Sequence, residues 1–353
     1  MSSAPVDWEA YRRVLPSVAQ AVGRTPMVRL NRVAADLRPA IYVKIEYYGP
    51  SGSLKDRIYK HMFDQAERRG DLRPGMEVLE CSTGNAGTAC AFLAAVKGYP
   101  CTVVMPEGMS EERKKLMRAY GARLVFTPGG ESDVDLSLRK LEEIRSVDPG
   151  RYWVPGQFDN PDNVEAHYLT TGPEVWEQTG GRLGAWVGAQ GSGGGLTGIG
   201  RYLRERDPAV KVYAVEPDEC ALLARQEWGE HGIEGIGDGF VPRNLDLSLL
   251  AGVITTTTDE SVRMAQRLAR EEGIFCGISS GCNVAAALKL ARRHPELDSI
   301  ATLINDTGQR YFSTALCGDS GAKQVEVPER EHPLDERSAR EIATYKAGWE
   351  LIT

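Results

Sequence analysis

The sequence predicts an α/β protein built on two mostly parallel, twisted sheets flanked by helices. Three observations carry that expectation. Short β-branched runs alternate with longer helical patterns, the alternation occurs twice along the chain, and Gly/Ser-rich turns stand where strands hand over to helices. At 353 residues the chain exceeds the usual size of one domain, so two units sharing an interface are expected.

In chain order, "IYVKIE" (41–46), "MEVLEC" (76–81), "CTVVMP" (101–106) and "ARLVFTP" (122–128) read as strands. Between them, "KDRIYKHMFDQAERRG" places Ile58, Met62, Phe63 and Ala66 on one helical face and ends at Gly70. "GNAGTACAFLAAVKG" and "SEERKKLMRAYG" also read as helices closed by glycine. A turn-rich stretch, "RYWVPGQFDNP", marks a boundary near residue 157. The second series has strands at "AWVGAQG" (185–191), "KVYAVEP" (211–217), "GVITTTT" (252–258) and "SIATLIND" (299–306). Its helices are "TGIGRYLRERD", "DESVRMAQRLAREEG" and "CNVAAALKLARRH". The charged tail after Ala322, with two prolines, reads as an appended arm or helix.

Composition narrows the function classes. A net charge of −7 argues against nucleic acid or an anionic membrane as the main partner. No run approaches the roughly 18 apolar residues that span a bilayer, and the N-terminus lacks the apolar core of a signal peptide. Seven cysteines without paired spacing suggest reduced thiols in a cytoplasmic protein. Five histidines, none at i, i+4 spacing to another, make a metal enzyme an unlikely class, so no metal site is expected.

Ligands of open α/β sheets bind beyond the carboxyl ends of the strands, where four loops draw notice. "GPSGSLKDR" (49–57) sets one lysine, Lys55, behind a flexible turn at a helix start; a plain surface turn would look the same. In "GAQGSGGGLTG", Gly191, Ser192, Gly193, Gly194 and Gly195 follow an apolar strand and open a helix. Converging N–H groups at a helix N-terminus suit a phosphate, although a tight turn would also need glycine. The loop is no P-loop, because no Gly-Lys-Ser/Thr follows. "CSTGNAG" offers the hydroxyls of Ser82 and Thr83 and the amide of Asn85 for a carboxylate, or for an ordinary helix N-cap. "GISSG" is weak by itself.

Taken together and in this order, the loops resemble those of fold-type II pyridoxal-phosphate enzymes, in particular the cysteine synthase and cystathionine β-synthase family. The similarity runs from "GRTPMVRL" (23–30) to "TGQRYFSTAL" (307–316), through "GSLKDR", "STGNAG", "PEGMSEERKKLMRAYGA", "GQFDNPDNVEAHYLTTGPEVW", "GSGGGLTG", "GIGDGFVPRNLD" and "GISSG". The resemblance implies a tryptophan-synthase-β-like fold, pyridoxal 5'-phosphate as cofactor, and a homodimer. It also implies a large cofactor-binding domain (1–46 and 158–321), a smaller mobile substrate-binding domain (47–157) and a C-terminal extension (322–353). Lys55 would hold the cofactor as a Schiff base and return as general base. Gly191, Ser192, Gly193, Gly194 and Gly195 would cradle the phosphate, Asn85 would bond the ring hydroxyl, and Ser280 would face the ring nitrogen. Ser82, Thr83, Gly84, Asn85, Ala86 and Gln157 would bind the substrate carboxylate.

The implied reaction is β-replacement on an activated serine of the O-acetylserine or O-phosphoserine type, through an external aldimine and an α-aminoacrylate. Sulfide or another nucleophile would then give cysteine or a related β-substituted alanine. A serine/threonine dehydratase-like lyase, cystathionine formation, and a silent paralogue binding a partner peptide are the alternatives. Three positions depart from the family pattern. Ala86 lacks a hydroxyl, Gly195 stands where threonine is usual, and Asp238 in "GIGDGF" stands where a small residue often faces the site. An acid at 238 would repel an anionic leaving group or favour an amine-bearing nucleophile; a turn aspartate is the plainer reading.

Overall fold

In a computed structural model, residues 6–130, 133–318 and 331–353 are described. The strands are β1 (Met27–Arg29), β2 (Ala40–Ile45), β3 (Glu77–Cys81), β4 (Cys101–Pro106), β5 (Arg123–Thr127), β6 (Tyr152–Trp153), β7 (Ala185–Ala189), β8 (Lys211–Pro217), β9 (Leu250–Thr256), β10 (Ser299–Ile304) and β11 (Glu350–Ile352). The helices are α1 (Lys55–Arg69), α2 (Asn85–Lys97), α3 (Glu111–Ala119), α4 (Val134–Val147), α5 (Pro161–Ala166), α6 (Gly172–Gln178), α7 (Gly194–Arg206), α8 (Thr258–Arg267), α9 (Ile278–Arg293) and α10 (Glu336–Tyr345).

The strands form a seven-stranded sheet, in the order β1-β2-β10-β7-β8-β9-β11, and a four-stranded sheet, β5-β4-β3-β6. Among the described residues every pairing between these strands is parallel except β1 with β2. Strands β3, β4 and β10 are buried at every residue, as parallel strands covered by helices on both faces must be. The predicted fold class is the observed one.

Each strand read from the sequence lies within two residues of its observed bounds or overruns them by a residue or two. Strands β1, β6 and β11 were not foreseen, being two or three residues long and so below the length at which alternation is readable. Helix α4, and the run α5–α6 with its π turn at His167–Thr171, also lie where no pattern was assigned. The tail's helix is α10, followed by β11, which pairs with β9 and closes one edge of the large sheet.

Helix α1 buries Ile58, Tyr59, Met62, Phe63 and Ala66 against α2 and the small sheet. The apolar face read from the sequence is therefore the packed one, and burial on this scale contributes roughly 2 kcal/mol per large side chain. The core of the large sheet gathers Ile41, Val43, Val187, Val215, Ile254 and Ile300 beneath α9. The carboxyl ends of β3, β7 and β10 and the start of α1 come together between the two sheets.

Candidate active site

Lys55 is the first residue of α1 and lines a cavity between the sheets. The preceding loop is fixed from both sides. Asp56 accepts from the Ser51 amide at 2.8 Å and from the Ser51 hydroxyl, and the Leu54 amide donates to the Asn305 carbonyl at 2.9 Å. Burial pushes the Asp56 carboxyl up to about 6 against the pull of its Ser51 bonds. The loop therefore holds the lysine at a set place on a rigid helix end.

Two residues on, Arg57 ties that helix to the large sheet. Its guanidinium donates to Glu46 at 2.6 Å and to both Glu174 oxygens at 2.8 Å, while Lys44 pairs with Glu174 at 2.7 Å. All four side chains are buried, and two cations face two anions. Burial pushes Glu174 up, but Arg57 and then Lys44 bring it down to about 2. Such a balanced set stabilises little by itself, yet losing one member leaves a bare buried charge.

Beyond β7, Ser192 and Gly193 lead into α7. Gly193 sits at φ +79°, in the left-handed region. Side chains are excluded here: a Cβ on Gly191 would lie 2.7 Å from the Gly235 carbonyl, one on Gly193 2.7 Å from the Leu245 amide, and one on Gly194 would collide with the Asn163 carboxamide. The Asn163 amide donates to the Gln157 carbonyl at 2.7 Å and to the Ser192 hydroxyl at 2.9 Å, so it braces this loop against the 157 turn. The His167 ring lies 3.6 Å from where a Gly195 Cβ would stand, and its Nδ1 is 2.9 Å from the Thr171 hydroxyl. Burial, and then the charges of Arg57 and Lys55, push this histidine down to about 3, so it is neutral.

On the opposite wall, Ser82 to Ala86 link β3 to α2. The Ser82 hydroxyl accepts from the amides of Gly84 at 3.0 Å and Gly87 at 2.7 Å. It thus caps α2 while its own proton stays available to a ligand. Asn85 donates to Asp306 at 2.7 Å and accepts from Arg310. Arg113 is 1% exposed and reaches from α3 to Glu234, and to the Tyr311 hydroxyl at 2.5 Å.

Lys55, Ser82, Thr83, Asn85, Ala86, Gln157, Gly191, Ser192, Gly193, Gly195 and Asp238 all line the one cavity. Gly84 and Gly194 lie behind it, as backbone that must stay thin against Arg113 and Asn163. Ser280 is 0% exposed, is not on the wall, and accepts from the Asn305 amide at 2.9 Å. Its neighbour Ser279 lines the cavity instead. Successive residues of a helix point about 100° apart, so only one of two adjacent serines can face inward.

A family model described as "Pyridoxal-phosphate dependent enzyme" matches residues 18–306. The chain belongs to this family. Among its relatives, a cysteine synthase of Staphylococcus aureus (strain Mu50 / ATCC 700699) is 39% identical over 317 residues, covering 90% of this chain and 98% of the relative. The crystal structure of an O-ureido-L-serine synthase superposes with a TM-score of 0.82 at 41% identity, covering 88% of this chain and 98% of that one. A cysteine synthase from Entamoeba histolytica superposes with a TM-score of 0.81 at 33% identity, covering 98% of each chain.

For a pyridoxal-phosphate dependent enzyme the cavity is chemically apt. The glycine loop is held too close to Gly235, Leu245 and Asn163 to admit side chains. It opens α7, a 13-residue helix whose first amides have no intrahelical acceptor. A dianionic phosphate supplies the acceptors such amides lack, and the neutral His167 beside Gly195 adds no competing charge. His167, Asn163 and Arg113 stand in stretches that carry the family resemblance, but nothing in their local spacing marks them as site residues.

Proposed function

We propose that this chain catalyses β-replacement on an activated L-serine, with pyridoxal 5'-phosphate held by Lys55. One observation carries the reading: the glycine cradle and the hydroxyl-rich turn before α2, at the ends of β7 and β3, face one cavity with the lysine at the start of α1. When bound, the cofactor serves as an electron sink that makes the substrate α-proton labile. Gly191 to Gly195 hold its phosphate through backbone amides, Asn85 bonds its ring hydroxyl, and Ser279 presents a neutral hydroxyl to its ring nitrogen. Ser82, Thr83, Asn85 and Gln157, with the backbone of Gly84 and Ala86, bind the substrate carboxylate. The Lys55 amine takes the α-proton and returns it after the nucleophile has added.

We also propose that residues 47–157 close as a unit over the rest, which excludes water during the reaction. Arg113 reaching Glu234 and Tyr311 across the cleft supports this. The enzyme is proposed to be a homodimer of the cytoplasm; seven free thiols support a reducing compartment. Similarity to both cysteine synthases and an O-ureido-L-serine synthase supports an activated serine as donor and a β-substituted alanine as product.

Mixing the holoenzyme with O-acetyl-L-serine, O-phospho-L-serine or L-serine tests the reading. One donor is expected to change the cofactor absorbance, and a nucleophile is expected to restore it. Pyruvate release with no replacement product would point to a lyase instead. Lys55→Ala is expected to lose the imine absorbance; an imine band that survives the substitution overturns the assignment of Lys55.

A further inference from the structure

The loop that gives Gly235, Ile236 and Asp238 to the cavity wall carries two acids, Glu234 and Asp238, and the fold treats them differently. Glu234 is paired with Arg113. Asp238 is 8% exposed and lines the cavity together with Lys55, Ser82, Thr83 and Gln157. It is held between two glycines in the left-handed region, Gly237 at φ +66° and Gly239 at φ +85°. The Gly237 amide donates to the Gln190 carbonyl at 3.1 Å, which pins the loop to the end of β7. A side chain fixed in this way is presented to the cavity rather than to solvent. Phe158, which lines the same cavity and packs edge-on against Phe240 at 4.9 Å, makes this wall apolar.

Burial pushes the Asp238 carboxyl up to about 6, and the charge of Lys55 acts in the opposite direction. Lys55 supplies that charge only when its amine is free of the cofactor and protonated. A buried carboxylate without compensation is costly, and it is relieved by a ligand that brings positive charge and N–H donors. It also disfavours an incoming anion such as hydrosulfide.

We propose that Asp238 determines the nucleophile, accepting the ammonium group of a second substrate that carries a protonated amine near its attacking atom. This rests on the β-replacement reading and names the substrate class for it. The bond changes balance without a redox partner. The Cβ–O bond of the donor breaks and its electron pair leaves with the carboxylate or phosphate. The lone pair of the attacking atom forms the new bond to Cβ, and the proton that atom sheds goes to solvent. The ammonium stays protonated on Asp238 throughout.

A set of thiols that differ in charge tests the inference. The holoenzyme would be given its best donor with 2-aminoethanethiol (cationic), 2-mercaptoethanol (neutral), mercaptoacetate (anionic) and sulfide, and products followed by mass spectrometry. In wild type, kcat/KM is expected to be highest for 2-aminoethanethiol and lowest for mercaptoacetate. In Asp238→Asn the ratio of the cationic to the anionic thiol is expected to fall by roughly tenfold or more, as loss of a charge-assisted hydrogen bond implies. Intrinsic thiol reactivity cancels in the comparison of variant with wild type, and a partly folded variant still reports its own ratio. Preference of the wild type for mercaptoacetate or sulfide, or a ratio unchanged in Asp238→Asn, overturns the inference while β-replacement stands. Failure of every thiol to replace the leaving group of any donor overturns both.

Discussion

His167 refuses a proton in the range where an exposed histidine accepts one, because it is buried and faces the charges of Arg57 and Lys55. The unfolded chain takes that proton below about pH 6.5, while the folded chain takes it only near pH 3. Its share of stability is complete above pH 6.5 and is lost as the pH falls toward 3, by roughly 1.4 kcal/mol per pH unit. In His167→Gln this slope is expected to vanish. Urea unfolding at pH 6.5 and 4.5 checks it, and an equal slope in both proteins would place the proton elsewhere. At this scale Lys55 and the glycines were legible because their motifs are compact. Ser280 is the sequence reading for the ring nitrogen, yet Ser279 is the serine on the cavity wall, because the choice depends on the phase of α9. The neutrality of His167 arises first from its burial and then from Arg57, 110 positions earlier in the sequence, and no local pattern announces it.

Two helix starts set the chemistry, and each has a weak point that can be probed. At α7, Gly194→Ala puts a methyl group into the Asn163 carboxamide. Overpacking of this kind costs about 1–3 kcal/mol, and the displaced loop is expected to weaken cofactor affinity by tenfold or more, on the order of 1.4 kcal/mol. Absorbance titration of the apoenzyme with pyridoxal 5'-phosphate measures this; unaltered affinity would remove the glycine loop from the cofactor site. At α1, Glu174→Ala leaves Lys44 and Arg57 buried against Glu46 alone. The expected loss is about 3–5 kcal/mol, read as a lower urea midpoint at an unchanged slope. Helix α1 was legible because Ile58, Met62, Phe63 and Ala66 recur at helical spacing. The anchor at Arg57 was not, since its partners lie on β2's end and α6.

For the molecule as a whole, strand–helix alternation was enough to read two parallel sheets, but not their edges. Strand β11 makes only three pairings with β9, yet it occupies an edge that would otherwise be open to other chains. The Trp349 side chain beside it is buried. Deleting residues 349–353 is expected to lower the melting temperature by several degrees and raise light scattering at micromolar concentration; a monodisperse truncated protein would show the edge to be protected by other means.

The strand order also dictates a schedule during synthesis. Strands β3 to β6 fall within residues 77–153 and can pair as soon as that stretch leaves the ribosome. The large sheet cannot do so, because β10, at residues 299–304, is the strand that joins β2 to β7. Until then β1 and β2 have no place beside β7, although they were made more than 250 residues before β10. At synthesis speeds of roughly 5–20 residues per second, β2 waits about 10–50 s for its neighbour. The nascent chain therefore carries a finished lysine-bearing helix long before the sheet that must face it exists.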